Sequence, residues 1–323
     1  MNISLVIPLL NEEESLPELE AWIRRVMDAH QYTYEVIMID DGSTDKSWKV
    51  IEQLRTQNPS IKGIKFRRNY GKSAGLHSGF QVASGQVVIT MDADLQDSPD
   101  EIPELYRLIV EEGYDLISGW KKKRHDPISK TIPSKFYNWV VRKVSKINLH
   151  DFNCGLKAYK NEVVKSVEVY GDMHRFIPLL AKWAGFKKIG EKVVEHHARK
   201  YGYSKFGWTR LFTGFLDLLS VVFVGRYAKK PMQFFGTSGL IVFVAGFFAV
   251  AYLGLSKLSD IMNHVKRAPL IAENPWFFFA LTCMVIGTQL FLAGFIAELV
   301  SRSAPNRNNY IVEKVLGELE IKE

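Results

Sequence analysis

From Pro231 to Ser256, and again from Asn274 to Ala297, no side chain carries a charge. Each run exceeds the ~20 residues that a helix needs to cross the hydrocarbon core of a bilayer. The C-terminal part of the chain therefore predicts two membrane helices, at about 232–255 and 275–298, within residues 231–300. Aromatic residues crowd the ends of the runs (Phe234, Phe235 and Tyr252; Trp276 to Phe279). Gly236, Gly239, Gly246, Gly287 and Gly294 permit close helix contact, within a hairpin or between copies of the chain in a homo-oligomer. The competing assignment, a pair of buried core helices, needs a second apolar layer, and the rest of the chain leaves none to supply it.

The N-terminus reads differently. Asn11-Glu12-Glu13-Glu14 follows a short apolar run with no basic segment before it, so no signal peptide is expected and residues 1–205 are expected to be cytosolic. Arg226, Lys229, Lys230, Arg302 and Arg307 then flank the inner ends of the spans, while Lys257, Lys266 and Arg267 fall in the outer connection. Residues 301–323 become a cytosolic tail. The chain has 42 Lys and Arg against 35 Asp and Glu, a net charge of +7, which suits an anionic partner, whether phosphate, nucleic acid or anionic lipid. Cys154 and Cys283 stand far apart and form no Cys-x-x-Cys, which excludes a disulfide framework and a cysteine zinc site and agrees with a reducing compartment.

Within the cytosolic part, strand-like apolar runs alternate with helical patterns: Ile3 to Leu9, Leu16 to Ala29, Tyr34 to Ile39, Ser43 to Leu54, Ile61 to Phe66, Lys72 to Ala83, Val87 to Met91. Runs this apolar do not suit a half-exposed sheet, so the order predicts an α/β fold with a mostly parallel central sheet covered on both faces. Ligands of such sheets bind beyond the carboxyl ends of the strands. Polar clusters fall at those ends: Asn11-Glu12, then Asp40-Asp41-Gly42-Ser43-Thr44-Asp45, then Asp92-Ala93-Asp94-Leu95-Gln96-Asp97.

A dinucleotide site fails, because Pro8-Leu9-Leu10-Asn11 stands where a glycine fingerprint belongs. Gly71-Lys72-Ser73 ends like a P-loop, yet the required first glycine is Phe66. His196-His197 point to opposite faces of a strand and suit surface or structural roles. Asp92 and Asp94 are more demanding. At a strand end residues i and i+2 share a face, so both carboxylates can meet one hard cation, Mg²⁺ or Mn²⁺, that screens a pyrophosphate. The plain alternative is that Asp92 caps the strand and Asp94 opens a turn towards Ser98-Pro99.

Ile7-Pro8-Leu9-Leu10-Asn11-Glu12, Ile39 to Asp45, Arg68-Asn69-Tyr70-Gly71-Lys72-Ser73-Ala74 and Met91 to Asp97 occur in an order that resembles a family-2 glycosyltransferase of the GT-A fold. The whole chain is similar to the polyprenyl-phosphate glycosyltransferases, relatives of dolichol-phosphate mannose synthase with two C-terminal membrane helices. That resemblance implies that Pro8, Leu10, Asn11, Glu12, Asp40 and Asp41 hold the nucleoside, with Lys72 and Ala93 lining the nucleotide-sugar site. It implies that Asp92, Asp94 and Gln96 bind the metal and diphosphate. Asp151, in His150-Asp151-Phe152-Asn153, matches the acid near the anomeric carbon, although many members read Gly-Asp-Phe-Arg there. Arg199, Ser204 and Lys205 match the basic phosphate-binding loop, and Lys121 and Arg124 join the phosphate-binding set. The alternative for the loop is a solvated basic turn before a membrane.

Residues 199–230 hold seven basic side chains against Asp217, a net +6, and Phe206, Trp208, Leu211, Phe212, Phe215, Leu218 and Leu219 recur at helical spacing. An amphipathic interfacial helix and basic junction over 206–230 is expected. Ile132 to Ile147, with Phe136, Trp139, Val140 and Lys143, suits either the interface or an ordinary packed surface. The implied reaction is inverting, metal-dependent sugar transfer from a nucleotide sugar, preferentially a UDP-hexose, to an undecaprenyl- or dolichyl-type phosphate. It takes place at the cytosolic face of a bacterial-type inner membrane, and nucleic acid is not expected as a partner. Two other classes compete. A processive polysaccharide synthase calls for Gln-x-x-Arg-Trp and more spans, whereas Trp208 follows Phe206-Gly207. A membrane scaffold or flippase subunit leaves the ordered acidic clusters without a purpose.

Overall fold

The computed structural model describes residues 1–122, 138–198, 200–201, 223, 231–263, 270–303 and 312–316. The chain forms two compact units, Met1–Val221 with Asn308–Glu323, and Val222–Arg307.

In the first unit, strands β1 (Ile3–Leu9), β2 (Tyr34–Asp40), β3 (Ile61–Phe66) and β4 (Val87–Thr90) alternate with helices α1 (Leu16–Ala29), α2 (Ser47–Gln57) and α3 (Lys72–Val82). Then come α4 (Ile102–Val110), β5 (Leu116–Trp120), a helix over 138–145, β6 (Lys157–Lys160), α5 (Asn161–Ser166), α6 (Ile177–Trp183) and β7 (Ile189–Val193). A last strand, β8 (Val312–Leu316), closes an eight-stranded sheet of order β7-β5-β6-β4-β1-β2-β3-β8. The β4-β1-β2-β3 centre is parallel, as is β5 with β7. Strand β6 runs antiparallel to both β4 and β5, and β8 runs antiparallel to β3.

The period of two along β1 explains how both faces are covered. Ile3, Leu5, Ile7 and Leu9 join one buried cluster with Leu16, Leu19 and Ile23 of α1, Trp48 and Ile51 of α2, and Ile102 and Leu105 of α4. On the opposite face Val6 and Pro8 meet α3, which comes so close that Gly75 lies against Pro8. Phe80 of α3 then meets Tyr159 of β6 edge-on, with ring centroids 5.7 Å apart. Each of these buried side chains contributes about 1.5–3 kcal/mol of apolar transfer.

Helix α2 starts at Ser47, later than the Ser43 expected, because residues 43–45 are held elsewhere. The Ser43 amide donates to Asp40 Oδ1 (2.8 Å), and the Thr44 amide to Asn11 Oδ1 (2.8 Å). Those bonds keep the backbone out of the helix and tie the ends of β1 and β2 together. The region 301–323, expected to be a tail, contributes β8, and Leu316 packs against the core beside Gly63.

The second unit contains α7 (Pro231–Met262) and α8 (Pro275–Ser303), two helices long and apolar enough to cross a membrane. They pack at glycines: a Cβ on Gly239 would lie 2.5 Å from the Gly287 carbonyl oxygen and 2.7 Å from the Phe291 nitrogen. Backbone meets backbone there, the small-residue contact that the sequence led one to expect.

Candidate nucleotide-sugar site

In the parallel register Leu9 lies beside Asp40, and Val6 beside Thr90, so the segments after β1, β2 and β4 emerge on one edge of the sheet. Asn11 turns the chain in the left-handed region (φ 55), which asparagine tolerates better than most side chains. Its amide donates to Ser43 Oγ (2.9 Å), the Glu12 amide donates to Ser47 Oγ (2.9 Å), and Ser15 Oγ donates to the Glu12 carboxylate (2.9 Å). Asn11 and Glu12 therefore clasp the β1 and β2 loops.

Asp40 is fully buried, and among the described residues only one of its oxygens is satisfied: Oδ1 accepts the Ser43 amide, whereas buried Oδ2 has no hydrogen-bond partner. An orphaned carboxylate oxygen at a sheet edge is costly unless a ligand donates to it. Asp41 behaves otherwise. Its oxygens accept the amides of Tyr70 (2.7 Å) and Gly71 (2.9 Å), so it fastens the 68–71 loop. Burial raises its pKa, and the two amides oppose that shift. Of the two aspartates expected at the nucleoside, Asp41 is thus engaged by backbone amides and Asp40 has the freer oxygen among the described residues. Pro8 and Leu10 border the same edge and are partly exposed.

The Asp92–Asp97 loop is wound tightly around its own carboxylates. Leu95 takes a left-handed conformation (φ 61), the Gln96 amide donates to Asp94 Oδ1 (3.2 Å), and the Asp92 amide to Asp97 Oδ2 (3.4 Å). A β-carbon-bearing residue held there stores strain of a kind found at functional sites. Ala93 is buried beneath the loop. Lys121, expected to reach for phosphate, is 14% exposed and pairs with buried Asp97 (2.8 Å). Burial opposes its charge, but Asp97 prevails and holds the ammonium above its ordinary pKa. In this structure Lys121 braces the loop through Asp97.

Lys72, the first residue of α3, pairs with Asp92 Oδ1. Burial raises the Asp92 pKa, yet Lys72 first, then Lys121, lower it to about 2, so this carboxylate stays ionised. Among the described residues no three His, Cys, Asp or Glu side chains form a metal cluster. Asp92, Asp94 and the Gln96 amide nonetheless offer the hard oxygen donors that Mg²⁺ or Mn²⁺ takes, and a cation already sits on Asp92. By donor type these residues would suit such an ion. Gly155 makes the space, because any Cβ there would run into the Asp92 carboxylate.

The chain returns to this loop from a distance. Asp97 and His196 form an antiparallel bridge, the His197 amide donates to the Gln96 carbonyl (2.9 Å), and Gln96 Nε2 donates to the His197 carbonyl (3.4 Å). The two histidines are structural, as their spacing implied, and they deliver the chain to position 198 beside the acidic loop. Arg124, Arg199, Ser204, Lys205 and, apart from helical Phe223, the expected helix over 206–230 lie outside the described residues.

Asp151 is 2% exposed. Its Oδ1 accepts the Asn153 amide (3.0 Å), its carbonyl accepts Ser118 Oγ (3.2 Å), and the next amide, of Phe152, donates to Asn138 (3.2 Å). The residues on either side that depart from the resembled motif have structural partners. His150 stacks on Trp120 (centroids 4.1 Å, interplanar 12°) and pairs with Glu191, while Asn153 holds Asp151 through its backbone. Cys154 is buried, which pushes its thiol up to about 12 and leaves it inert.

Sequence reasoning passed over Gly155, Lys157, His174 and Arg175. Lys157 had a signal, a charge set between apolar Leu156 and Ala158-Tyr159 at the start of strand β6. The other three carry none that a single sequence displays.

Residues 4–167 match the family model described as "Glycosyl transferase family 2". A relative from Rhizobium johnstonii, named dodecaprenyl-phosphate galacturonate synthase, is 33% identical over 98% of this chain and 93% of its own length. One from Proteus mirabilis, named undecaprenyl-phosphate 4-deoxy-4-formamido-L-arabinose transferase, is 33% identical over 98% and 94%. Among solved structures, glucosyl-3-phosphoglycerate synthase from Mycobacterium tuberculosis with Mn²⁺ and uridine-diphosphate-glucose superposes with a TM-score of 0.53 at 19% identity, covering 69% of this chain and 78% of that one. That likeness shows the GT-A fold, and the matches to the family model and to full-length relatives show that the chain belongs to glycosyl transferase family 2.

Proposed function

We propose that the protein transfers a sugar from a UDP-hexose donor to the phosphate of a polyprenyl lipid, with inversion at the anomeric carbon and dependence on Mg²⁺ or Mn²⁺. The observation that carries this reading is one sheet edge that presents both the unpaired Asp40 oxygen and the Asp92–Asp97 loop. The names of the full-length relatives supply the acceptor class, and the solved neighbour with UDP-glucose and Mn²⁺ supports the donor and ion. The two apolar helices give the chain a place at a membrane, where an acceptor with a lipid tail is found. Catalysis is assigned to the cytosolic face of a bacterial-type inner membrane.

In this mechanism Asp40 accepts a hydrogen bond from the nucleoside, and the clasped β1 and β2 loops fix its position. Asp92, Asp94 and Gln96 hold the ion, which when bound neutralises the diphosphate as it leaves. Lys72, at the head of α3, lies on Asp92 and is released to the diphosphate as the donor binds. The acceptor's phosphate is largely ionised near neutral pH, since the second pKa of a phosphate monoester is about 6, and needs little help from a base. Asp151 orients that oxygen towards the anomeric carbon. Arg199 and Lys205 stabilise the departing charge. Direct displacement inverts the configuration, so an α-linked donor gives a β-linked lipid product.

The test is transfer from a panel of radiolabelled UDP- and GDP-sugars to polyprenyl phosphate by the full-length chain in detergent, followed by organic extraction. Label in the organic phase from one UDP-sugar, abolished by EDTA, is expected. Donor hydrolysis with no lipid-linked label from any donor would refute the acceptor.

A further inference from the structure

The site holds more positive charge than its carboxylates pair. Lys72 is taken by Asp92 and Lys121 by Asp97. Lys157 and Arg175 remain without a carboxylate partner among the described residues, and with Lys72 they line one small recess beside Thr90, Asn153 and His174, with room for about one water-sized atom. Lys157 is 4% exposed and donates to the Cys154 carbonyl, its one described acceptor. A buried ammonium with no carboxylate in direct contact is among the more costly features a fold can retain. Burial lowers its pKa, with Lys72 acting the same way, against Cys154, Asp151 and Asp92.

The neighbouring cation is held in place deliberately. Ser73 Oγ, on the first turn of α3, accepts the His174 amide (3.0 Å) and lies 3.0 Å from His174 Nδ1. Burial first, then Lys72, Arg175 and Lys157, keep that imidazole well below its ordinary pKa and hence neutral. A neutral histidine bonded to α3 through both its backbone and its ring fixes the adjoining Arg175 beside Lys72, at the recess, without adding another charge.

We propose that Lys157 and Arg175, with Lys72 at its rim, form a second anion subsite, separate from the metal loop, that binds an oxyanion carried by one of the two substrates. That oxyanion is either the phosphate of the lipid acceptor or a carboxylate on the transferred sugar. Both present oxygen lone pairs to a guanidinium and an ammonium, and both supply the charge that these residues lack. The inference rests on the sugar-transfer reading for its substrates, though its binding measurements do not depend on turnover.

The experiment compares the wild-type full-length chain with R175Q and K157M. Calorimetric titrations use farnesyl phosphate, and UDP-galacturonate against UDP-galactose and UDP-glucuronate against UDP-glucose, each with Mn²⁺; steady-state transfer follows with the same probes. If the acceptor supplies the anion, both variants weaken farnesyl phosphate about tenfold to a hundredfold and leave every donor unchanged. If the donor supplies it, the wild type prefers a uronic acid over its neutral counterpart by a similar factor, and the variants lose that preference with the acceptor unchanged. K157M should also raise Tm, because it removes a buried unpaired charge, so lost binding cannot be blamed on a lost fold. Wild-type affinities in both variants for every probe would overturn the subsite. A wild type that binds these probes but transfers nothing would refute the sugar-transfer reading, and the titrations would still decide the subsite.

Discussion

Replacing Gly155 by alanine should disable the metal loop without touching any of its ligands. The added Cβ would lie 2.7 Å from Asp92 Cγ and 3.0 Å from Oδ1, where ordinary contact begins near 3.4 Å. The shortfall at Cγ, 3.4 minus 2.7, is 0.7 Å. The Gly155 backbone cannot back away, because its carbonyl accepts a 2.8 Å bond from buried Thr90. The carboxylate must therefore swing, and with it one of the two acidic ligands proposed for the ion. Misplacing a catalytic group by about 1 Å costs roughly a hundredfold, so a loss of about tenfold to a hundredfold in kcat/KM at limiting Mn²⁺ is expected. The Mn²⁺ midpoint, measured by calorimetry in the presence of UDP, should rise by a similar factor. Overpacking at a rim position should cost no more than about 1–3 kcal/mol, so the variant should still unfold cooperatively. Wild-type Mn²⁺ binding and turnover in G155A would refute the assignment of Asp92 to the ion, since the substitution leaves its carboxylate no room to stay where it is.

Asp40→Asn retains an acceptor for the Ser43 amide and replaces the orphaned oxygen by a donor, so UDP affinity should fall about tenfold to a hundredfold with little change in Tm; unchanged calorimetric affinity would remove Asp40 from the nucleoside site. The Asp92 pKa, lowered from 3.8 to about 2, makes a contribution to stability that is complete above pH 4 and lost as pH falls towards 2; D92N should flatten Tm in that window, and an unaltered acid limb would contradict the Lys72 pairing. Gly239→Val pushes a side chain into the Gly287 carbonyl and should destabilise the helical hairpin by about 1–3 kcal/mol in detergent, while Gly254→Val, which meets open space, should not; equal effects would deny the glycine contact. A cysteine at Ser259 should react with an impermeant maleimide added outside intact cells and one at Asn308 should not; the reverse pattern would invert the topology.

The first four strands and three helices were legible because apolar runs of the right length alternate with helical spacing. Where the reading drifted, a side chain had a local reason. Ser43 to Asp45 look like a helix start, but they bond to Asn11, Glu13 and Asp40 instead. Charge at a strand end points to a site without revealing which partner each charge takes. Asp40 and Asp41 are neighbours of one type, yet backbone amides engage both oxygens of the second and a single oxygen of the first. Lys121 likewise looks available in sequence and is committed to Asp97 in space. Strand β8 escaped notice because its five residues mix charge with valine and leucine, and its partner lies some 250 positions earlier. Lys157 and Arg175 acquire meaning only when the fold places them around one recess.

The pairing of β8 with β3 imposes a rule of parity on how this protein is made. The strand is encoded after both apolar helices, yet it completes a sheet begun at the N-terminus. With the helices spanning a bilayer, the chain must have crossed an even number of times before Val312–Leu316 can reach that sheet. One failed insertion leaves β8 on the wrong side, and the bare edge of β3 is then open to pairing with foreign strands. With spanning helices, closure of the sheet thus requires that the two crossings come as a pair, and a chain stalled between the two helices would be marked by its unpaired edge.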